Sequence, residues 1–293
     1  MKIAIYGKKF NADFDPFFVE IISSLASNNV EISIYKLFYE SLPVKIKEKF
    51  KNFQFFSSSI DLQKDVEVLM SIGGDGTFLD SVTFVQNSGI PIAGINSGRL
   101  GFLANISRTE IQSAIHKILT KSYSYEEREL IHLVSPDNLF GDCNYALNEV
   151  TITKKDSSSM ITINVYLNGQ FLNTYWADGL IIATPTGSTA YSLSVGGPIV
   201  VPEAKNFIIT PLAPHNLTVR PLVVPNTHEL TLKISGRDEN YLVSLDRRYE
   251  VIPTDIVIKL KRARFKIKVV KHDERTFFST LREKLMWGLD SRN

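Results

Sequence analysis

Gly73-Gly74-Asp75-Gly76-Thr77 stands between an apolar run, residues 66–72, and a stretch of helical spacing. Glycines let a backbone turn tightly and approach a ligand with no Cβ in the way. A helix that starts there presents free N–H groups and the positive end of its dipole, which suits a diphosphate. Two phosphate loops are excluded. No Gly-x4-Gly-Lys-Ser/Thr occurs, and a dinucleotide fingerprint needs a third glycine where Leu79 stands. Asp75 is the odd member, because phosphates repel a carboxylate. It can accept the proton of an attacking hydroxyl or hold Mg²⁺ through water. Its plainer role is to cap the helix.

Further polar groups lie downstream. Asn148 and Glu149 sit just inside a strand end. An amide beside a carboxylate can read base edges and accept from two ribose hydroxyls; the alternative is a hairpin Asn and a solvated Glu. Asp178 precedes Gly179 and an apolar strand, and a turn aspartate satisfied by its own backbone is its alternative. Thr186-Gly187-Ser188-Thr189 opens a short helix whose hydroxyls and N–H groups can hold a ligand or merely cap. Tyr191 offers a flat face to a base. The five histidines (His116, His132, His215, His228, His272) show no metal spacing, and no protein-built metal site is expected. Ser188 has no hydrolase context, so a nucleophile is excluded.

These residues need elements to place them. Residues 2–7, 30–35, 66–72 and 90–95 are strand-like, and 17–25 and 77–85 are helical. That alternation predicts an α/β domain with a doubly wound, Rossmann-like parallel sheet. Residues 39–64 are variable, with Lys45, Lys47, Lys49 and Lys51 on a solvated helix. After a helix at 111–121 the pattern turns to strands, at 130–134, 146–153, 160–167, 172–176, 180–184, 229–234, 242–245, 256–260 and 265–270. Asn168-Gly169 is a two-residue hairpin signal. A β-rich domain, a β-sandwich, is expected. Within it Arg264, Lys266 and Lys268 alternate with Ala263, Phe265, Ile267 and Val269, a half-buried strand with a solvated basic face. Phe277, Phe278, Leu281, Leu285 and Met286 share a helix face that should return to the first domain and bury there. The domains are therefore 1–102 with 273–293, and 103–272.

Composition fits this division. Two domains suit 293 residues, and 44% hydrophobic with 22% charged residues is ordinary for a globular chain. Thirty-three basic against thirty-one acidic residues leave +2, too even for a protein held to nucleic acid by phosphate charge. Cys143 is the single cysteine, which rules out an internal disulfide. No apolar run reaches the roughly 20 residues of a membrane span, and no signal peptide is visible. A soluble, cytoplasmic protein is expected.

Gly-Gly-Asp-Gly-Thr is shared by NAD kinases, by lipid kinases of the diacylglycerol and sphingosine type and, in variant form, by phosphofructokinases. Asn96-Ser97-Gly98-Arg99-Leu100-Gly101-Phe102-Leu103 resembles the NAD kinase segment, and the Gly-Thr-Gly-Asn-Asp type segment of a lipid kinase is lacking. Asn148-Glu149-Val150, Asp178-Gly179-Leu180, Thr184 to Ser194 with Gly196-Gly197-Pro198, and Pro214 to Pro221 follow in the order seen in NAD kinases. The resemblance, to the bacterial type, spans residues 66–250. It implies phosphorylation of the adenosine 2′-hydroxyl of NAD by ATP or polyphosphate with Mg²⁺, by a homodimer or homotetramer. It implies a catalytic base at Asp75. Dinucleotide contacts are implied for Asp75, Gly76, Phe102, Asn148, Glu149, Asp178, Thr189, Ala190, Tyr191, Ser192, Leu193, Ser194 and Ala213, with Phe102 near the adenine. For Phe102 and Ala213 a place in the core is the alternative.

Two positions depart from the pattern. Relatives often carry a basic residue or His where this chain has Asp80, and that contact is not carried over. Where they show Asp-Gly-Gln or Asp-Ser-Gln, this chain has Asp246-Arg247-Arg248; Arg248 either reaches a phosphate or ribose or faces solvent. A lipid kinase and a dinucleotide-binding sensor without catalysis are the rival readings.

Overall fold

The computed structural model describes residues 1–10, 12–62, 65–155, 160–237, 239–271 and 275–288. His272 lies outside them, as do 273–274 and 289–293 of the segment assigned to the first domain. The chain forms two compact units, residues 1–127 with 267–293, and residues 128–266.

The first unit begins with β1 (Lys2–Tyr6), α1 (Asp15–Ser27), β2 (Glu31–Tyr35), α2 (Lys36–Glu40) and α3 (Val44–Lys49). It continues with β3 (Phe53–Phe56), β4 (Val68–Gly73), α4 (Asp75–Val85), β5 (Ile92–Asn96) and α5 (Ile111–Leu119). The strands lie parallel in the order β5-β4-β1-β2-β3. Side chains alternate across a strand. Ile3, Ile5, Ile32, Ile34, Val68 and Met70 share one core with Phe18, Ile21 and Leu25 of α1 and Ile111, Ile115 and Ile118 of α5. On the opposite face Tyr6, Tyr35 and Phe56 gather around Phe84 of α4, with ring centroids 5.0, 5.2 and 5.6 Å away. A sheet covered on both faces explains why these strands read as continuous apolar runs. Strand order reverses between β1 and β4, and open α/β sheets take ligands beyond the C-terminal strand ends at such a point. The glycine loop leaves β4 there. Residues 39–64 differ from expectation: the lysine helix stops at Lys49, and β3 follows as a short edge strand with two exposed side chains.

The second unit takes in β6 (Tyr125–Ser135) from Arg128 on, β7 (Tyr145–Ala146), β8 (Glu149–Lys154), β9 (Ile161–Leu167), β10 (Gln170–Ala177), β11 (Gly179–Ala183) and α6 (Tyr191–Ser194). Next come β12 (Asn206–Leu212), β13 (Leu222–Pro225), β14 (Leu230–Ser235), β15 (Asn240–Leu245), β16 (Arg248–Pro253) and β17 (Ile258–Val270). One antiparallel sheet runs β13-β12-β11-β8-β15-β16, and another runs β10-β9-β14-β17. Val150, Ile152, Leu180, Phe207 and Val243 of the first share one core with Ile163, Val165, Leu232 and Leu260 of the second. This is a sandwich. Asn168 and Gly169 turn with φ of 49° and 81°, as a tight hairpin requires. The runs at 256–260 and 265–270 are one strand, β17, whose basic residues Arg264 and Lys266 face solvent. Its last residues belong to the first unit, where Val269 lies parallel beside Ile92.

The chain then adds α7 (Phe277–Leu285) to the first unit, opened by a capping box between Thr276 and Ser279. The expected burial of its apolar stripe needs correction. Leu281 is buried, but Phe278 and Met286 are 57% and 71% exposed, and the helix stops before Met286, whose φ is 52°. Polar and aromatic contacts hold it instead. Arg275 pairs with Glu110 at 2.9 Å, and the Phe277 ring lies 6.0 Å from that of Phe102. No helix among the described residues is long and apolar enough to cross a membrane.

Candidate active site

In the first unit, Gly74 is the extended N-cap of α4 and Asp75 stands in its first turn. The side chain of Asp75 does not cap the helix. It reaches residues 102–104: Oδ1 accepts the N–H groups of Leu103 and Ala104, each at 2.9 Å, and Oδ2 accepts that of Phe102 at 2.9 Å. Lys284 Nζ of α7 lies 3.3 Å from Oδ2. The approach is so close that a Cβ at Gly101 would fall 1.8 Å from Oδ1. Asn96 fixes the same loop, donating to the carbonyls of Arg99 and Ala104 while its Oδ1 accepts the Gly98 N–H at 2.7 Å. Asp80 pairs with Lys8 at 2.7 Å. Phe102 is half-buried rather than core, with the Lys284 ammonium 4.9 Å from its ring centre.

In the second unit, Glu149 opens β8 with Asn148 just before it, and both are 7% exposed. Asp246, at the hairpin between β15 and β16 with φ of 54°, holds them. Its Oδ1 accepts the N–H groups of Asn148 and Glu149 at 2.7 and 3.1 Å, and its Oδ2 that of Leu147 at 2.8 Å. Burial pushes the Asp246 carboxyl up from its ordinary value, and the three N–H donors oppose this. Burial, then the charge of Asp246, raises Glu149 to about 8, against a backbone hydrogen bond from Tyr191. Asn148 Oδ1 and Glu149 Oε2 are buried without a hydrogen-bond partner. Buried polar atoms are nearly always satisfied, so two neighbouring orphan oxygens, an amide acceptor and a carboxyl that can keep its proton, point to a polar ligand.

The segment after β11 packs on this turn. Thr184 donates its N–H to Asn148 O at 2.8 Å and its hydroxyl to Leu147 O at 2.6 Å. Gly187 lies so close that a Cβ there would meet Asn148 O at 2.1 Å. Ser192 Oγ is engaged with Thr210 Oγ1 at 3.0 Å, whereas Tyr191 is 45% exposed and Thr189, Ala190 and Leu193 are half-buried. Ser194 is exposed. Asp178 pairs with Lys154 at 2.6 Å. Ala213 is exposed with φ of 41°, a conformation that costs a non-glycine residue about 1–2 kcal/mol and that clusters at functional sites. Arg248 donates to the carbonyls of Cys143 and Tyr145 and lies over the Phe140 ring, so its guanidinium braces the turn from within.

Each unit thus holds a candidate constellation of its own: a carboxylate cradled beside a phosphate-type helix start in the first, and a buried amide–carboxyl pair in the second. Among the described residues no three His, Cys, Asp or Glu side chains stand as a metal site. With both Asp75 oxygens engaged, the residues present do not fit a protein-built magnesium cage. Two site residues escaped sequence reasoning. Asp246 carried a signal, an aspartate at a strand-to-strand turn; Lys284 carried none, since it lies 209 positions from its partner.

Comparison with known proteins gives the following. The family model for the ATP-NAD kinase N-terminal domain matches residues 19–123, and that for the C-terminal domain matches residues 147–272. Curated proteins named NAD kinase from Flavobacterium psychrophilum and Flavobacterium johnsoniae are 48% and 49% identical to the chain over 295 residues, covering 100% of both partners. The crystal structure of yeast NADH kinase complexed with NADH superimposes with a TM-score of 0.87 at 25% identity, covering 99% of this chain and 89% of that one. An NAD kinase from Archaeoglobus fulgidus in complex with ATP shares the fold, with a TM-score of 0.76 at 24% identity over 98% and 99% of the two chains.

Proposed function

The chain belongs to the NAD kinase family, and from that premise we propose how its own residues carry phosphoryl transfer from ATP to the adenosine 2′-hydroxyl of NAD. The lipid-kinase and sensor readings are set aside with those matches. Asp75 takes the hydroxyl proton as the oxygen attacks the terminal phosphorus, and ADP leaves. Such transfer asks for alignment and charge neutralisation more than covalent chemistry. The N–H groups at the start of α4, including that of Gly76, offset phosphate charge. Mg²⁺ would be held by the donor's phosphates rather than by side chains of this chain, and would supply further neutralisation of phosphate charge.

In the second unit Asn148 and Glu149 hydrogen-bond dinucleotide hydroxyls; their two orphan oxygens are the observation that carries this assignment. Asp178, Thr189, Ala190, Tyr191, Ser192, Leu193, Ser194 and Ala213 line the rest, and Phe102 flanks the adenine. Arg248 serves from behind, through the turn it braces. On this reading residues 1–102 with 273–293 bind phosphate and residues 103–272 bind NAD. The family resemblance also supports a cytoplasmic homodimer or homotetramer, and polyphosphate as a second donor to be tried beside ATP.

The deciding experiment is Asp75→Asn. Calorimetry should find NAD affinity within a few-fold of the parent, while a coupled NADP assay finds turnover lower by about 10²–10⁴. Turnover near the parent's removes the base role.

A further inference from the structure

We propose that Lys284 belongs to the phosphoryl-transfer machinery: in the free enzyme its ammonium keeps the ribose hydroxyl's place on Asp75, and it passes to the transferred phosphoryl group when that hydroxyl arrives. The inference rests on the reading of Asp75 as the base. It starts from a count. A carboxylate offers about four acceptor positions. Three are filled by the N–H groups of Phe102, Leu103 and Ala104, and the fourth by Lys284. The backbone donors cannot leave without undoing the 101–104 cradle. Lys284 can, because its donor ends a flexible stem that is 35% exposed. The one contact of Asp75 that can be exchanged for a substrate hydroxyl is therefore this cation.

Charge says where the cation goes. The glycine loop carries no lysine, and Lys8, at the same helix, is paired with Asp80. In the transfer step the bond between the ribose oxygen and phosphorus forms, the bond from phosphorus to the leaving diphosphate breaks, and the hydroxyl proton lands on Asp75. That carboxyl is then neutral and cannot draw back the ammonium that the hydroxyl displaced, while the phosphoryl oxygens beside it stay charged. The cation follows the charge over a few ångströms, guided by the Phe102 ring beneath it. The construction of α7 agrees. Only Thr280 and Leu281 are buried in this helix, yet a capping box, the Arg275–Glu110 pair and the Phe277–Phe102 contact hold it in register. What those tethers deliver is Lys284.

The test is steady-state kinetics of Lys284→Met and Lys284→Arg, with Asp75→Asn and the Asp75→Asn/Lys284→Met double variant alongside. Lys284→Met should keep its thermal midpoint and hold KM for NAD within about two-fold, yet lower kcat by about 10²-fold. Lys284→Arg should recover at least about ten-fold of that loss. The double variant should be no slower than Asp75→Asn alone, since residues acting as a unit are not additive. Three results each overturn the proposal: kcat of Lys284→Met within about two-fold of the parent, a loss confined to KM, or losses that multiply in the double variant. Lys284→Gln repeats the measurement should methionine disturb the helix. Normal turnover in Asp75→Asn marks failure of the base reading, and normal turnover in Lys284→Met marks failure of this one, so the two are told apart.

Discussion

Glu149 is a residue whose burial works against its charge. Its carboxyl sits at about 8 in the folded chain, against an ordinary 4.5. Between those values the folded state keeps a proton that the unfolded chain has released. Stability therefore falls as pH rises from about 4.5 through about 8, then levels off. Glu149→Gln removes this dependence. Its unfolding free energy by urea titration, relative to the parent, should climb from pH 5 to pH 8, by no more than about 1.4 kcal/mol per pH unit; a relative stability that stays level or drops would count against the buried pair. At this scale the sequence was readable where a motif was local. Asp75, Asn148 and Glu149 stand in short blocks whose residue types announce hydrogen bonding. Asp246 and Lys284 were not readable as partners, because only folding brings a hairpin turn to β8 and the last helix to the glycine loop.

The loop at residues 101–104 has no regular structure, yet it fixes the geometry of the reacting carboxylate. Gly101→Ala would push a methyl group onto Asp75 Oδ1 and open the cradle. We expect a loss of about 1–3 kcal/mol in stability by urea titration, together with most of the turnover. Gly98→Ala, in the same segment, meets nothing within 4 Å. It should change stability by less than about 0.5 kcal/mol and is the control. Buried elements were the legible ones: β1, β2, β4 and β5 are apolar at most positions because both faces are covered. Edge elements hid. β13 and β16 expose Leu222, Val223, Tyr249 and Val251, so their pattern mixes with that of loops, and β17 was split by the exposed pair Lys261-Arg262. The stripe on α7 misled for the opposite reason, since its spacing is helical but only Leu281 of it is buried, and polar and aromatic contacts hold the helix.

At the scale of the whole molecule, the two units have separate cores, and the second has its own reporter. Cys143, in the second, is buried, and burial pushes its thiol up against the pull of Arg248. A thiol reagent should label native protein slowly and reach one thiol per chain only as urea unfolds that unit; fast native labelling would contradict the packing around Arg248. The exposed apolar side chains of edge strands β13 and β16 suit pairing between copies, and light scattering should give a mass of two or four chains. One feature of the chain path has a temporal side. A ribosome making this protein lays down β1 to β5 first, then the entire sandwich, and only afterwards the helix that reaches back to Asp75. A nascent chain halted before residue 275 holds the glycine loop and both β-sheet layers but no Lys284, so on the role proposed for that lysine such a product should turn over at least about 10²-fold more slowly than the chain that carries it.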